Sequence, residues 1–146
     1  MIVGFTCGTF DLLHPGHIAM LRDCKSQCDH LIVGLHTDPT IERPDTKNKP
    51  IQTTFERYIQ LEAVKYVNEI IPYDTEADLS NLLGVINIDR RFVGEDHIND
   101  KLTGQLVCDQ RGVEITFNER CHDWSSSELR ERIKNDKEIN RGSSYD

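Results

Sequence analysis

The stretch Ile2-Val3-Gly4-Phe5-Thr6-Cys7-Gly8-Thr9-Phe10-Asp11-Leu12-Leu13-His14-Pro15-Gly16-His17 decides how this chain is read. Ile2 to Cys7 has the apolar, β-branched and aromatic make-up of a strand. Gly8 then allows a sharp turn and a close backbone approach to a ligand. Pro15 suits the first turn of a helix, where its missing N–H forfeits no hydrogen bond, and His17 to Cys24 lie in that helix. A strand that runs through a glycine loop into a helix start leaves unpaired amides and the positive dipole end facing the loop. Phosphate is the ligand such a place favours.

Outward from this stretch, strand-length apolar segments alternate with segments of helical period. That alternation is the signature of an α/β fold, a Rossmann-like three-layer sandwich built on a five-stranded parallel sheet. Strands are expected at Leu31 to Leu35, at Glu69 to Ile71 where Pro72 stops it, at Arg91 to Gly94 and at Glu114 to Phe117. Thr53-x-x-Glu56 is a capping box that opens a helix through about Tyr66, Asp78 to Val85 suits another, and Ser125-x-x-Glu128 opens a last one through about Asn135. Pro39 to Pro50, polar with three prolines, reads as a loop. One domain over 1–137 follows, with no internal repeat, and 138–146 carries too little apolar surface to pack and is expected to be a mobile tail. In open sheets of this kind ligands bind beyond the carboxyl ends of the strands, at the point where strand order reverses.

Composition narrows the function classes. The 146 residues suffice for one core without disulfides or a structural metal. No apolar run approaches the roughly 18 residues that cross a bilayer, and Met1 leads straight into a strand without an export signal, so a cytoplasmic, non-membrane protein is expected. Five cysteines, odd in number and irregularly spaced, point to free thiols in a reducing compartment rather than a disulfide framework. A net charge of -8 without a basic stripe argues against nucleic acid as a partner, and an anionic substrate then needs a local cluster of positive groups.

His14 and His17 lie three residues apart, so on a helical turn both imidazoles project to one side and converge on one anion. Displacement at an α-phosphate builds charge on its non-bridging oxygens and on the departing pyrophosphate, and donors preorganised there lower the barrier. Taken alone, such a pair is more often a helix-capping histidine beside a partly exposed one. The preceding Gly8-Thr9-Phe10-Asp11 favours the phosphate reading.

Gly8 to His17 resembles the GTFDxxHxGH segment that marks the cytidylyltransferase-like nucleotidyltransferases, and within them the glycerol-3-phosphate cytidylyltransferases. Further blocks follow in the same order. They are Arg57 with Ala63 to Pro72, similar to a KYVDEVIP-like stretch; Gly94-Glu95-Asp96-His97, similar to GDDW; and Arg120 with Ser125-Ser126-Ser127, similar to RTEGIST. Cys121-His122-Asp123-Trp124 and His97 depart from those patterns, and Trp124 is expected in the core.

The resemblance implies a nucleotidyltransferase that moves CMP from CTP to a small phosphorylated alcohol, glycerol 3-phosphate for preference, by direct attack. It implies that His14, His17, Lys47, Lys49 and Arg120 are catalytic, and that Gly8, Thr9, Phe10, Asp11, Gly16, Arg57, Gly94, Glu95, Asp96, Ser125 and Ser126 bind the nucleotide. It implies Mg²⁺ held by the triphosphate with no protein metal cage, and a homodimer. Two alternatives remain. One is the same chemistry with ATP, because Ser125 to Arg130 also resembles an adenylyltransferase ISSTxIR segment; the other is a nucleotide-binding module without turnover.

Overall fold

Along the second strand Leu31, Val33 and Leu35 face one layer while Ile32 faces the other, the period of two that a sheet covered on both sides requires. The computed structural model describes residues 1–139. The chain runs β1 (Val3–Gly8), α1 (Pro15–Ser26), β2 (His30–His36), α2 (Thr54–Glu62), β3 (Glu69–Tyr73), α3 (Glu76–Val85), β4 (Arg90–Gly94), α4 (Gln105–Gln110), β5 (Glu114–Asn118) and α5 (Ser126–Ile139). All strand pairs are parallel and the order is β3-β2-β1-β4-β5, a Rossmann-like α/β sandwich. Order reverses between β1 and β4, which puts the loop after β1 at the switch point.

Two cores flank the sheet. Leu21 and Cys24 of α1 and Leu61 of α2 pack with Leu31, Val33, Leu35 and Phe92 on one face; Leu79 and Leu83 of α3 and Cys108 of α4 pack with Phe5, Ile32 and Val113 on the other. Each fully buried leucine contributes about 2 kcal/mol relative to exposure. The Thr53–Glu56 capping box forms as expected, and Thr75 with Asp78 makes another at the start of α3.

Several boundaries differ from the sequence reading for physical reasons. Strand β3 passes through Pro72, which pairs with Leu35; β3 is an edge strand, so the missing N–H removes no bond on its open side. Helix α2 ends at Glu62, and the chain from Ala63 turns into β3. Helix α4 was not expected, because six residues are too few to show a period. Helix α5 continues to Ile139, so residues 138 and 139 are helical rather than tail, and 140–146 lie outside the described residues. The five cysteines are free, and burial pushes the Cys24 thiol up to about 12, which leaves it inert as a nucleophile or metal ligand. No helix among the described residues is long and apolar enough to cross a membrane.

Candidate active site

A cleft of about 770 Å³ opens at the carboxyl ends of β4 and β5 and runs along α1. His14, Gly16 and His17 border it from α1, Gly94, Glu95 and Asp96 from the end of β4, and Arg120, His122, Ser125 and Ser126 from the segment between β5 and α5. Besides His14 and His17 themselves, seven of these were expected at the site on sequence grounds; His122 was not.

The two histidines build the start of α1 in a way that also sets their chemistry. His14 is the N-cap residue, and its Nδ1 accepts the Gly16 N–H at 3.0 Å; His17 Nδ1 accepts the His14 N–H at 3.2 Å. A capping box made of two imidazoles results, with ring centroids 3.9 Å apart. Because each Nδ1 accepts from an amide, each neutral ring carries its proton on Nε2, as a donor. The capping read as one alternative from the sequence is what the Nδ1 ends of the rings do, and it leaves their Nε2 ends as donors.

Both rings are held neutral. Burial pulls the His17 pKa down to about 4, with His14 adding to the effect and Asp11 opposing it. Burial also lowers that of His14, helped by His122 and Arg120. In the unfolded chain a histidine titrates near 6.5, so above that pH neither state of His17 is protonated. Between 6.5 and about 4 the unfolded chain takes up a proton that the folded one refuses. Stability is therefore expected to fall with pH across that window, by up to about 3 kcal/mol from this group. Denaturant titrations at pH 7 and pH 4.5 check it: the loss must be smaller in His17→Asn.

Gly16 is required by the same geometry. A Cβ there would lie 2.7 Å from His14 Cε1 and 2.9 Å from His122 Cε1, inside the closest approach of real side chains. Gly16→Ala is expected to displace the His14 ring and lower turnover by about tenfold or more, although alanine is the better helix former. Steady-state kinetics beside a far-ultraviolet spectrum separates the two effects.

The residues between β1 and α1 take different tasks from those expected. Gly8 does not adopt a left-handed conformation; Phe10 and Leu12 do, each at φ 52°. Phe10 buries its ring in the core, 5.5 Å from the His17 ring, and the Leu12 N–H donates to Gln52 Oε1 at 2.9 Å. Asp11 is buried and accepts from the Ile51 and Gln52 amides at 2.8 and 2.9 Å and from Arg130 at 2.9 Å. Gly8, Thr9, Phe10 and Asp11 thus form the support behind the histidines rather than the cleft wall.

Arg57 too is a supporting residue rather than part of the cleft wall. It is 1% exposed, and its guanidinium donates to the carbonyls of Gln52, Thr9, His36 and Thr37 and to Thr54 Oγ1. With its donors spent on four backbone carbonyls and the Thr54 hydroxyl, it ties three segments together and has none left for a nucleotide. Lys47 and Lys49 are exposed in the loop before α2 and do not border the cleft.

Arg120 sits at the cleft rim. Its N–H donates to Glu95 at 2.9 Å and its guanidinium to the Trp124 carbonyl at 2.7 Å, which leaves further guanidinium N–H groups for an anion. Ser125 Oγ accepts the Glu128 N–H at 3.0 Å as the cap of α5, and Ser126 Oγ donates to the Asp11 carbonyl at 3.3 Å. Trp124 is not in the core: it is 45% exposed and stacks on His122 at 5.1 Å. A third histidine so near Arg120 and the helix start was the one signal in the sequence that could have pointed to His122.

A parallel sheet with a cleft at its switch point, and imidazole donors at a helix start, define a nucleotide-phosphate-binding domain of the nucleotidyltransferase type. The cytidylyltransferase-like family matches residues 5–132, and the chain belongs to it. It is 34% identical over 115 residues to the bifunctional protein HldE of Hyphomonas neptunium, covering 79% of this chain and 24% of that one. The HldE of Nitrobacter winogradskyi is 33% identical over 130 residues, 89% of this chain and 26% of that one. The chain thus spans about a quarter of the length of these curated relatives. Among solved structures, a lipopolysaccharide core biosynthesis protein from Thermoplasma volcanium superposes with a TM-score of 0.67 at 25% identity, over 86% of this chain and 99% of that one.

Proposed function

We propose that this domain transfers a nucleoside monophosphate, CMP from CTP, to the phosphate of a small phosphorylated polyol or sugar, and releases pyrophosphate. The observation that carries this reading is the state of the two imidazoles. Each Nδ1, the nitrogen that would take a proton from an attacking group, is occupied by a backbone N–H, and each Nε2 is a donor. Such a site stabilises negative charge and offers no base. An acceptor phosphate dianion needs none, because its attacking oxygen carries no proton, whereas an alcohol or amine does.

In the step itself an oxygen of the acceptor phosphate forms a bond to the α-phosphorus, and the bond from that phosphorus to the bridging oxygen of the β-phosphate breaks. The electron pair leaves with pyrophosphate. His14 and His17 donate to the charge that grows at the α-phosphate, and Arg120 faces the departing phosphates. Among the described residues no three carboxylate, histidine or cysteine side chains converge as a metal cage, and the phosphate end of the cleft presents donors. The donor set fits a Mg²⁺ carried on the triphosphate with water, and Glu95 and Asp96 would be carboxylates of the cleft available to its water shell. Bound there, the ion would neutralise charge on the leaving group.

Glycerol 3-phosphate follows from the resemblance of the blocks described above. Lipopolysaccharide core biosynthesis, the role given for the Thermoplasma protein, is assembly of sugars and supports the wider class of sugar phosphates. ATP in place of CTP is the second reading, favoured by Ser125 to Arg130. A homodimer belongs to the same proposal, and the mass in solution tests it.

Pyrophosphate release decides among these readings when CTP, ATP, GTP and UTP are each paired with glycerol 3-phosphate, sugar 1-phosphates, phosphocholine, phosphoethanolamine and pantetheine phosphate. Turnover with CTP and a polyol or sugar phosphate is expected. Turnover with ATP alone moves the base assignment, and nucleotide binding without turnover on any pair would leave a binding module.

A further inference from the structure

The cleft holds a third imidazole that the sequence blocks do not account for. His122 borders it with His14, His17 and Arg120. Its Cε1 and that of His14 both stand within 3 Å of where a Cβ on Gly16 would be, so the two rings meet over one glycine. Its orientation is fixed twice, by the Trp124 N–H donating to Nδ1 at 3.2 Å and by the Trp124 ring stacked against it with planes 29° apart. The turn that carries it is anchored in its own right, because Arg120 donates from its backbone to Glu95 and from its side chain to the Trp124 carbonyl.

The pattern repeats that of the other two rings. In all three a backbone N–H occupies Nδ1, which leaves Nε2 of the neutral ring as the donor. His122 is also among the groups near enough to lower the His14 pKa, after burial, in keeping with the two rings meeting over Gly16. Packing alone does not explain His122: its partner Trp124 is half exposed, and the stacked pair lies at the cleft rather than in either core.

We propose that His122 is a further phosphate-contacting residue of this chain, donating from Nε2, beside Arg120, to the part of the triphosphate that leaves as pyrophosphate. The inference rests on the nucleotidyl-transfer reading for its ligand. It differs from that reading in what it assigns: recognition of the leaving group by a segment, Cys121 to Trp124, that departs from the RTEGIST pattern the chain otherwise resembles.

The test uses two variants and a readout that does not require turnover. In His122→Asn an amide oxygen can still accept the Trp124 N–H, but the distal donor is gone; in His122→Gln an amide N–H is returned near the Nε2 position. Calorimetric binding of inorganic pyrophosphate, and of CMP and AMP, is measured on all three proteins, beside kcat and KM for the nucleoside triphosphate. We expect His122→Asn to weaken pyrophosphate binding about tenfold or more and to lower kcat/KM by a similar factor. Binding of the monophosphates should change less than about twofold, and His122→Gln should recover part of the loss. Wild-type affinity for pyrophosphate in His122→Asn overturns the assignment, as does an equal loss for pyrophosphate and monophosphates, which marks a purely structural residue. Absence of turnover in the wild type with pyrophosphate still bound through His122 would instead strike the proposed reaction and leave the contact standing. A wild type that neither turns over nor binds pyrophosphate overturns both.

Discussion

Replacing His17 with asparagine is expected to reduce nucleotidyl transfer by at least about 100-fold while shifting the melting temperature by only a few degrees. The two effects separate because the ring has two ends. Nδ1 accepts the His14 N–H and completes the cap of α1. An asparagine oxygen sits where Nδ1 sits and can keep that bond, whereas nothing replaces the Nε2 donor on the cleft side. His17→Ala is a less clean test than the sequence suggests. It removes the cap acceptor as well, which costs about 1 kcal/mol of stability and confuses loss of chemistry with loosening of the helix start. An asparagine variant that retains full turnover would sink the role given to His17.

The second large effect concerns stability. Arg57→Met is expected to destabilise the domain by about 3 to 5 kcal/mol, a fall in melting temperature on the order of 10 °C. Methionine fills much of the same volume, so the cost does not come from a cavity. It comes from the carbonyls of Thr9, His36 and Thr37, which the guanidinium satisfies at 2.9, 2.7 and 2.6 Å and which a thioether cannot. Those carbonyls lie at the end of β2 and in the loops after β1 and β2, so freeing them also loosens the support behind His14 and His17. Thermal unfolding of the variant, followed by nucleotide binding on the fraction still folded, measures both consequences. Unfolding within about 1 kcal/mol of wild type, with nucleotide affinity sharply reduced, would return Arg57 to the phosphate-binding task that its place in the sequence suggests.

Arg57 also shows what one chain of residues makes legible and what it hides. The order of strands and helices could be read because period and capping are local. Thr53 to Glu56 signals a helix start within four residues, and Leu31 to Leu35 alternates by itself. The cleft could be placed because a parallel sheet entered at β1 has its switch point there. The task of a buried charge is not local. Arg57 meets Thr9 across 48 positions, and Arg130 meets Asp11 across 119. Nothing in the composition near either residue distinguishes a guanidinium that binds phosphate from one that binds backbone carbonyls. Asp11 misleads for the same reason, since a carboxylate in a phosphate loop looks like part of the ligand shell until the Ile51 and Gln52 amides are brought to it. Trp124 was hidden by size: a tryptophan is more often covered, and only the fold shows that its partner is His122 at the cleft.

Nucleotidyl transfer in which the two neutral imidazoles act as donors to the α-phosphate makes one demand on the products. When the full chain is incubated with Mg²⁺, CTP or ATP, and glycerol 3-phosphate or a sugar 1-phosphate, phosphorus NMR should show inorganic pyrophosphate and a diphosphate-linked nucleotide product appearing in equal amounts, with His17→Asn nearly silent. Orthophosphate release in place of pyrophosphate, or bound nucleotide that stays intact with every acceptor, would contradict it.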